Sequence, residues 1–373
     1  MSAQALTDAV VTELVADATA APSMHNAQPW LFRYGHRSRT LALRADFERR
    51  MPEADPTGRA LHVGCGAALL NLRVSAAHHG LEAATTLLPD PSDPVLLASV
   101  RLDDGPDARP DNGPDARPDN GPDARPDNGP DARPDNGPDA RPDDGPGASG
   151  GRAEEALRAL HPAIANRHTS RYPFDEQAIP DDVRARLVRA ARAEGADLVF
   201  LAGPHLETVL GLIRDAEGYD RGDPAREAEQ EHWARYTKTD APVDGIPDYA
   251  FGPRDAAERA TNRDFAGSVP VPGRAHVPFE HQPQLALLST GGDRPADWLR
   301  AGQALERVLL TATLDAVSTS FATQPLEWPD LRWVLRDPVH GTGHPQMIIR
   351  LGYGPTGPRT PRRPLDRVLT IEP

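Results

Sequence analysis

The chain has very little cysteine and no long run of apolar residues. Cys65 is the single cysteine among 373 residues, which excludes an intramolecular disulfide framework and is typical of a reducing compartment. No uninterrupted apolar run of about 18 residues occurs, so no membrane span is expected. Residues 1–20 contain neither lysine nor arginine, so they do not resemble an export signal. These absences together predict a cytoplasmic protein.

Positive charge is also scarce. Lysine occurs once, at Lys238, and the formal net charge is −14. Part of that charge is local, because residues 105–144 hold 11 Asp and 5 Arg, a net of −6. An acidic chain without a basic stripe is a poor candidate for binding nucleic acid. The arginines elsewhere still allow a local pocket for a phosphate group.

A tandem repeat interrupts the chain. The octapeptide GPDARPDN occurs four times over residues 105–136 and is followed by GPDARPDD at 137–144. Each unit has two prolines, one glycine and no large apolar residue, so it cannot bury enough surface to offset the entropy of ordering. We therefore interpret residues 103–151 as a disordered, partly extended insert. A docking arm or a calcium-binding repeat is the functional alternative.

The segments on either side of the insert carry the patterns of helices and strands. Helices are predicted at 4–19, 59–80, 152–165, 181–194, over most of 205–235 and at 296–317, and strands at 30–34, 40–44, 95–102, 197–201, 285–289 and 347–352. Residues 238–283 are rich in proline, glycine and charge and are predicted to form a long loop or lid. The expected organisation is a first half at 1–102, the insert at 103–151 and a second half at 152–373.

The two long apolar helices resemble each other. Gly66-Ala67-Ala68-Leu69 aligns with Gly302-Gln303-Ala304-Leu305, and the match continues beyond these positions at the same constant offset. Each helix is followed by a strand that ends in Arg-Leu. This pattern indicates an internal duplication; a chance match between two Ala/Leu-rich core helices is the alternative.

The first candidate for chemistry is the segment from Ala21 to Trp30. Two prolines stiffen it, and Ser23, Asn26 and Gln28 bring hydroxyl and amide groups close together. Asn and Gln supply both donors and acceptors, which is the mixture that the edge of an isoalloxazine ring requires. A helix cap followed by a tight turn is the structural alternative.

Two further segments are rich in arginine. Arg167, His168, Thr169 and Arg171 lie close together in the sequence, a combination that suits a terminal phosphate. Near the C-terminus, Arg362 and Arg363 lie between prolines and are candidates for the same pocket. The alternatives are a solvated helix C-terminus, where Arg and His favour the dipole, and a charged turn.

Taken together, these segments resemble the nitroreductase family. Pro22 to Trp30 matches its Pro-Ser-x-x-Asn-x-Gln-Pro-Trp motif at every defined position, and residues 167–171 match its Arg-(Arg/His)-Ser-x-(Arg/Lys) motif with Thr for Ser. The resemblance implies an α+β, nitroreductase-like fold, with two pseudo-repeats that each have a mixed or antiparallel sheet flanked by helices. It also implies FMN as cofactor, NAD(P)H as reductant, and a nitroaromatic, quinone or similar small molecule as electron acceptor.

The order of the motifs departs from the family's pattern. In ordinary members the arginine motif precedes the Asn-x-Gln-Pro-Trp motif in one short chain, and each FMN lies at a homodimer interface. Here the motifs lie in reverse order and in different halves. The arrangement is similar to the Acg-like branch, as is Asp55-Pro-Thr-Gly-Arg59. It implies a fused pseudo-dimer with one FMN pocket per chain, for which a monomer suffices.

The resemblance assigns roles to individual residues. Arg167, His168, Thr169 and Arg171 would hold the phosphate and ribityl chain, Pro22, Ser23, Asn26 and Gln28 would contact ring and ribityl, and Arg362 or Arg363 would complete the phosphate site. The turn at Gln324 falls where a backbone N–H approaches flavin N5. No catalytic acid or base is implied, since the flavin carries the redox chemistry.

Two other functions remain open. A flavin-binding protein with little turnover, which stores or sequesters FMN, would carry the same motifs. A metal site would need more than the pair His340 and His344, which lie in a glycine-rich loop without a nearby set of partner ligands. No metal is therefore expected.

Overall fold

A computed structural model describes residues 6–105, 146–236, 243–256, 262–267, 269–336, 341 and 343–373 of the chain. Most of the predicted insert, residues 106–145, lies outside this range, so its interpretation as a disordered linker stays a prediction. The ends of the insert differ from the expectation. A strand continues to Asp104, and a helix begins at Pro146.

The first half packs helices against a sheet. Its elements are α1 (Asp8–Thr19), β1 (Trp30–Gly35), β2 (Thr40–Ala45), α2 (Arg59–His78), β3 (Leu81–Leu87) and β4 (Leu96–Asp104). The Thr7 hydroxyl begins α1 by accepting a hydrogen bond from Val10 N, as an N-cap does. The sequence pattern does not predict β3, because its residues alternate between half-exposed and exposed positions and none is buried.

The second half is longer. Its elements are α3 (Pro146–Arg158), α4 (His161–Ile164), α5 (Asp181–Ala193), β5 (Asp197–Phe200), α6 (Gly203–Arg221), α7 (Pro224–Trp233), β6 (Ala234–Arg235), β7 (Ile246–Pro247), β8 (Arg254–Asp255), β9 (His276–Val277), β10 (Gln284–Thr290), α8 (Pro295–Leu314), β11 (Ser318–Phe321), α9 (Pro329–Val334), β12 (His344–Gly352) and β13 (Leu369–Glu372). The helices predicted at 152–165 and 205–235 are each divided in two. Asp223 caps α7 by accepting from the backbone N–H groups of Ala225 and Arg226.

The two halves repeat one topology. The strand orders β1-β2-β4-β3 and β5-β10-β12-β11 are equivalent, and the neighbours within both runs are antiparallel. Helix α2 runs from position 59 to 78 and α8 from 295 to 314. The residue numbers of both helix ends therefore differ by the same amount as those of Gly66 and Gly302. The offset read from the sequence is therefore also the offset of the structural repeat. The predicted α+β fold with two fused pseudo-repeats is confirmed.

The C-terminus joins the halves. Strand β13 pairs in parallel with β1, with Phe32 opposite Leu369, so the last strand of the chain completes the sheet of the first half. This sheet is mixed, whereas the four-stranded sheet of the second half is antiparallel. Because β13 pairs with β1, the preceding residues 358–363 lie close to the 22–28 loop.

Helices α2 and α8 form the centre of the molecule. A Cβ atom added at Gly66 would lie 2.2 Å from Leu299 O, and one added at Gly302 would lie 2.1 Å from Val63 O. The helices therefore cross with their backbones in contact, at glycines related by the repeat. By length and composition α2 could cross a membrane, but 89% of its apolar window is buried inside the protein, as in a core helix.

The described part of residues 238–283, the lid segment, is not a simple loop. The short parallel pairs β6–β7 and β8–β9 organise it, and Ile246, Phe251 and Phe265 form a small apolar cluster with neighbouring alanines. The segment is fixed to the first half where Gln28 Nε2 donates to Val243 O at 2.8 Å. The sequence predicts the position of this segment but not its packed interior.

Candidate functional site

A cleft lies where the two halves and the lid segment meet. The empty space inside it, counted out to the open mouth, is about 1120 Å³. It is lined by residues 22–26, the first turns of α2, residues 167–171, Ile246, Arg263, Phe265, parts of 320–327 and 346–347, and parts of 358–362. The Asn-x-Gln-Pro-Trp segment and the arginine segment thus meet at one site, although they belong to different halves of the chain.

The 22–28 loop has an unusual backbone. His25, Asn26 and Gln28 all have a φ between +48° and +56°, a conformation that is uncommon outside glycine. The Ser23 hydroxyl closes the turn by accepting a hydrogen bond from Gln28 N at 2.9 Å. Pro22 and Ser23 line the cleft. This tight turn holds the loop against the cleft wall.

The two amides of the loop are largely used by the protein itself. Asn26 lines the cleft, and its Nδ2 donates to Gly245 O and Pro361 O at 3.0 and 3.1 Å. Gln28 is fully buried and does not line the cleft; its Oε1 accepts from Arg363 N at 2.7 Å. Through its hydrogen bonds, Gln28 therefore connects the loop to the lid segment and to the C-terminal tail.

A basic cluster occupies one end of the cleft. Arg167 and Arg362 both donate to Ala20 O, at 3.0 and 2.9 Å, at the C-terminal end of α1. Burial and the neighbouring Arg167 lower the pKa of Arg362 to about 9. Burial, Arg167 and Arg362 also lower the pKa of His168. Thr169 lies beside them in the wall. Cations held this close favour an anionic ligand.

Arg363 shares a recess beside the cleft with Arg167, His168 and Arg362. Its Nη1 donates to Asp46 Oδ2 at 3.0 Å and to Gln28 O at 3.1 Å, and it lines a neighbouring recess rather than the cleft. Its charge is therefore balanced within the protein. Of the two C-terminal arginines proposed from the sequence, the structure brings Arg362 to the cleft.

Arg171 belongs to a different part of the cleft from Arg167. Its Nη1 donates to Ala250 O at 3.0 Å, and its guanidinium lies 5.0 Å from the centre of the Phe265 ring. Burial lowers its pKa to about 10. Both partners belong to the lid segment, so the arginine segment contacts α1 at its beginning and the lid segment at its end.

Glu306 is the carboxylate beside the basic cluster. It lies on α8, is completely buried, and its Oε1 is 3.4 Å from Arg167 Nε. Burial raises its pKa to about 7, although Arg167 opposes the shift. This group titrates close to neutral pH and so changes the charge balance of the site.

This pKa makes a testable contribution to stability. Between its ordinary pKa of 4.5 and the folded value of about 7, the folded protein retains a proton that the unfolded chain releases, so stability falls as pH rises through this window. We expect the stability of Glu306→Gln not to fall in this way. Its free energy of unfolding should therefore increase by about 2–3 kcal/mol relative to that of wild type between pH 4 and pH 8. Urea unfolding of both ligand-free proteins at a series of pH values measures the difference, and parallel curves would contradict the assignment.

The turn at 324–327 presents its two ends, but not the Gln324 side chain, to the cleft. Gln324 is 1% exposed, and its Nε2 donates to Glu217 Oε1 at 3.3 Å, so the side chain does not line the cleft. Thr323 and Glu327, at the ends of the turn, do. The prediction for this turn concerned its backbone, and it stays a prediction.

Several cleft residues were not predicted from the sequence. Glu327 is held by Arg263 of the lid segment at 2.6 Å and by Arg226 of α7 at 3.2 Å. Arg59 donates to Gln346 O at 2.6 Å, and burial lowers its pKa to about 10. His25 lies at a variable position of the loop motif. Arg263 belongs to no motif, and the prediction for the turn that contains Glu327 concerned only its backbone, so only the fold brings these two side chains together.

The described residues contain no group of three or more His, Cys, Asp or Glu side chains that could hold a metal ion. His340, one of the histidines considered from the sequence, lies outside the described residues. His344 Nδ1 accepts a hydrogen bond from Arg336 Nη2 at 3.0 Å.

The chain has full-length relatives. It is 28% identical over 371 residues to "Putative NAD(P)H nitroreductase acg" of Mycobacterium tuberculosis, a match that covers 98% of this chain and 97% of that protein. A second M. tuberculosis protein, "Putative NAD(P)H nitroreductase Rv3131", is 29% identical over 358 residues, covering 94% of this chain and 88% of that protein. No family model matches the chain.

Solved structures align with about half of the chain. A nitroreductase with bound FMN from Bacteroides fragilis is 15% identical, covers 56% of this chain and 94% of its own, and has a TM-score of 0.33. One from Desulfitobacterium hafniense, also with bound FMN, is 14% identical, with coverages of 57% and 96% and a TM-score of 0.35.

Fold and site define a class: a two-half α+β protein with a basic cleft at the junction of its halves. Over its whole length the chain is similar to proteins named putative NAD(P)H nitroreductases, among them acg, which supports a relationship to the nitroreductase superfamily.

Proposed function

We propose that the chain binds one FMN in the cleft and catalyses the NAD(P)H-dependent reduction of a small aromatic acceptor, a nitroaromatic or a quinone. The observation that carries this proposal is the basic cluster of Arg167, His168 and Arg362 at one end of the cleft. Two arginines and a histidine with Glu306 as the adjacent carboxylate suit a terminal phosphate, since charge-assisted hydrogen bonds to a dianion stabilise such a cluster.

We propose that the rest of the cofactor lies in the remaining cleft. Thr169 and Asn26 would lie along the ribityl chain, and Pro22 and Ser23 would contact the ring together with the backbone of the 323–327 turn. Gln28 would act indirectly, by fixing the loop. A bound flavin supplies the two-electron chemistry, and the protein holds it, orients it and limits access. For a quinone the balanced reaction is NAD(P)H + H⁺ + quinone → NAD(P)⁺ + hydroquinone.

The cleft also supports an alternative, FMN sequestration with little turnover. Arg263 and Phe265 place the lid segment in the cleft wall, and the buried pair between Arg263 and Glu327 holds it there. Breaking a buried pair is costly. A lid segment that stays closed would exclude nicotinamide from the flavin, whereas one that opens would admit it.

Both halves of the cleft come from one chain, so we further propose that a monomer binds FMN without a second copy. Small molecules are the expected partners. A cytoplasmic location stays a prediction from the sequence.

The absorption spectrum of the purified protein, followed by anaerobic addition of NADPH, tests the proposal. We expect flavin bands corresponding to one FMN per chain and bleaching within seconds. Bands that persist for minutes would favour sequestration. A protein that remains colourless after reconstitution with FMN would contradict both functions.

A further inference from the structure

His25 is an unusual residue of the cleft. Its side chain is 8% exposed, it lines the cleft, and neither ring nitrogen has a hydrogen-bond partner among the residues that the structure describes. Its recorded ring contact is with Phe265 of the lid segment, edge to face, with the ring centres 5.1 Å apart. Buried polar atoms in native proteins are nearly always paired, so these nitrogens point to a ligand.

The backbone holds this ring in place at a cost. His25 has a φ of +48° and a ψ of +22°, a conformation that is strained for residues other than glycine and that tends to occur at functional sites. Its neighbours Ser23 and Asn26 are both fixed by hydrogen bonds. The loop therefore presents the imidazole to the cleft in one orientation.

Electrostatics determine which form of the ring is present. Burial, followed by the charges of Arg263, Arg171 and Arg226, lowers the pKa of His25 well below its ordinary value of 6.5. A neutral imidazole has one N–H donor and one acceptor nitrogen. The same arginines favour a partner atom that is negative or becomes negative.

Different arginines act on His25 and on the basic cluster of the proposed phosphate site. The cations that act on it are Arg171, Arg226 and Arg263, whereas those that act on His168 are Arg167, Arg362 and Arg359. A group bound at His25 would therefore be surrounded by a different set of arginines from the phosphate group. It lies beneath the lid segment, next to an aromatic ring that suits a planar molecule.

We propose that His25 donates a hydrogen bond to the carbonyl or nitro oxygen of the electron acceptor and positions it in the cleft. This inference rests on the proposed function and names a specificity residue for it. Negative charge develops on that oxygen during reduction, and a preorganised donor in a basic environment stabilises it. His25 holds the acceptor and transfers no proton.

The test compares His25→Phe with His25→Gln. Phenylalanine keeps a ring against Phe265 but has no nitrogen, whereas glutamine keeps a donor and an acceptor and is found at a similar φ at position 28. We expect His25→Phe to weaken binding of menadione to the oxidised, FMN-loaded protein about tenfold, and His25→Gln to restore it to within about threefold. Changes in the flavin spectrum during titration report the dissociation constant.

Two further measurements separate the outcomes. The dissociation constant for FMN, measured on each flavin-free variant, is expected to stay within about threefold of wild type. His62→Asn is the control, because the His62 ring contacts Gly58 O outside the cleft lining. Its menadione binding is also expected to stay within about threefold of wild type. Unchanged menadione binding in His25→Phe, or an equal loss of FMN and menadione binding, would overturn this inference alone. Wild-type protein that binds no FMN would overturn the proposed function, and the inference with it.

Discussion

Gly302→Ala is expected to destabilise the protein by about 3–5 kcal/mol, a large part of the roughly 5–15 kcal/mol that stabilises a typical domain. The added Cβ would lie 2.1 Å from Val63 O, 2.8 Å from Gly66 Cα and 2.9 Å from Ala67 N. All three are backbone atoms of α2, so no side chain can rotate away. The two central helices would have to separate, and the core of both halves would loosen.

The chain offers a matched control for this substitution. Gly218 lies inside α6, and a Cβ atom added there meets nothing within 4 Å. Gly218→Ala is therefore expected to stabilise the protein by about 0.5–1 kcal/mol, the ordinary gain of alanine over glycine in a helix. Urea unfolding of both variants measures the two effects. A Gly302→Ala protein as stable as wild type would contradict the described crossing of α2 and α8.

The same crossing explains how much of the fold the sequence predicts. Helices predicted at 59–80 and 296–317 are found at Arg59–His78 and Pro295–Leu314, because long buried helices leave an apolar pattern that local reasoning detects. The repeat is visible in the sequence for a related reason. Gly66 and Gly302 occupy equivalent positions where α2 and α8 pack against each other, so the residues around them remain similar.

Strands at the edges are less predictable. β13 consists of Leu369–Glu372, alternates between half-exposed and exposed residues, and pairs with β1 near the other end of the chain. Nothing in so short a segment indicates a strand until the partner edge is known. β11 leaves no clear pattern for a similar reason, since its four residues closely follow a long helix.

Motif matching identifies the cleft better than it identifies the direction of each side chain. Gln28 and Arg363 belong to predicted motifs, but they contact each other and Asp46 rather than the cleft. A sequence gives the residue type, and only the fold decides which partner an amide or guanidinium meets. Conversely, Arg263 faces the cleft without any motif, because a packed lid segment brings it there, and it pairs with Glu327, whose turn was predicted only through its backbone.

Arg167→Gln is expected to weaken FMN binding by about 30- to 100-fold while changing riboflavin binding by less than about threefold. Arg167 is 4% exposed and lies beside Arg362 and His168, so under the proposed function its guanidinium contacts the phosphate that riboflavin lacks. Hydrogen bonds to charged groups contribute about 1.5–3 kcal/mol, and each step of about 1.4 kcal/mol is tenfold in affinity.

The comparison with riboflavin separates recognition from structure. Arg167 also donates to Ala20 O, and its loss would leave Glu306 without its nearest cation, so a general change in the shape of the cleft is the competing explanation. Such damage would weaken FMN and riboflavin equally, whereas loss of a phosphate contact lowers only the affinity for FMN. Titration of the flavin-free protein with each ligand, followed by flavin fluorescence, gives the ratio of the two dissociation constants.

Arg363→Gln provides the matched control, since it removes the same charge one residue beyond Arg362. Because Asp46 already balances Arg363 outside the cleft, the FMN affinity of this variant is expected to remain within about threefold of wild type. Equal losses in Arg167→Gln and Arg363→Gln would mean that the net charge of the region attracts FMN. A loss confined to Arg167→Gln would assign the phosphate to the basic cluster at the end of α1, and with it the orientation of the flavin toward His25 and the lid segment.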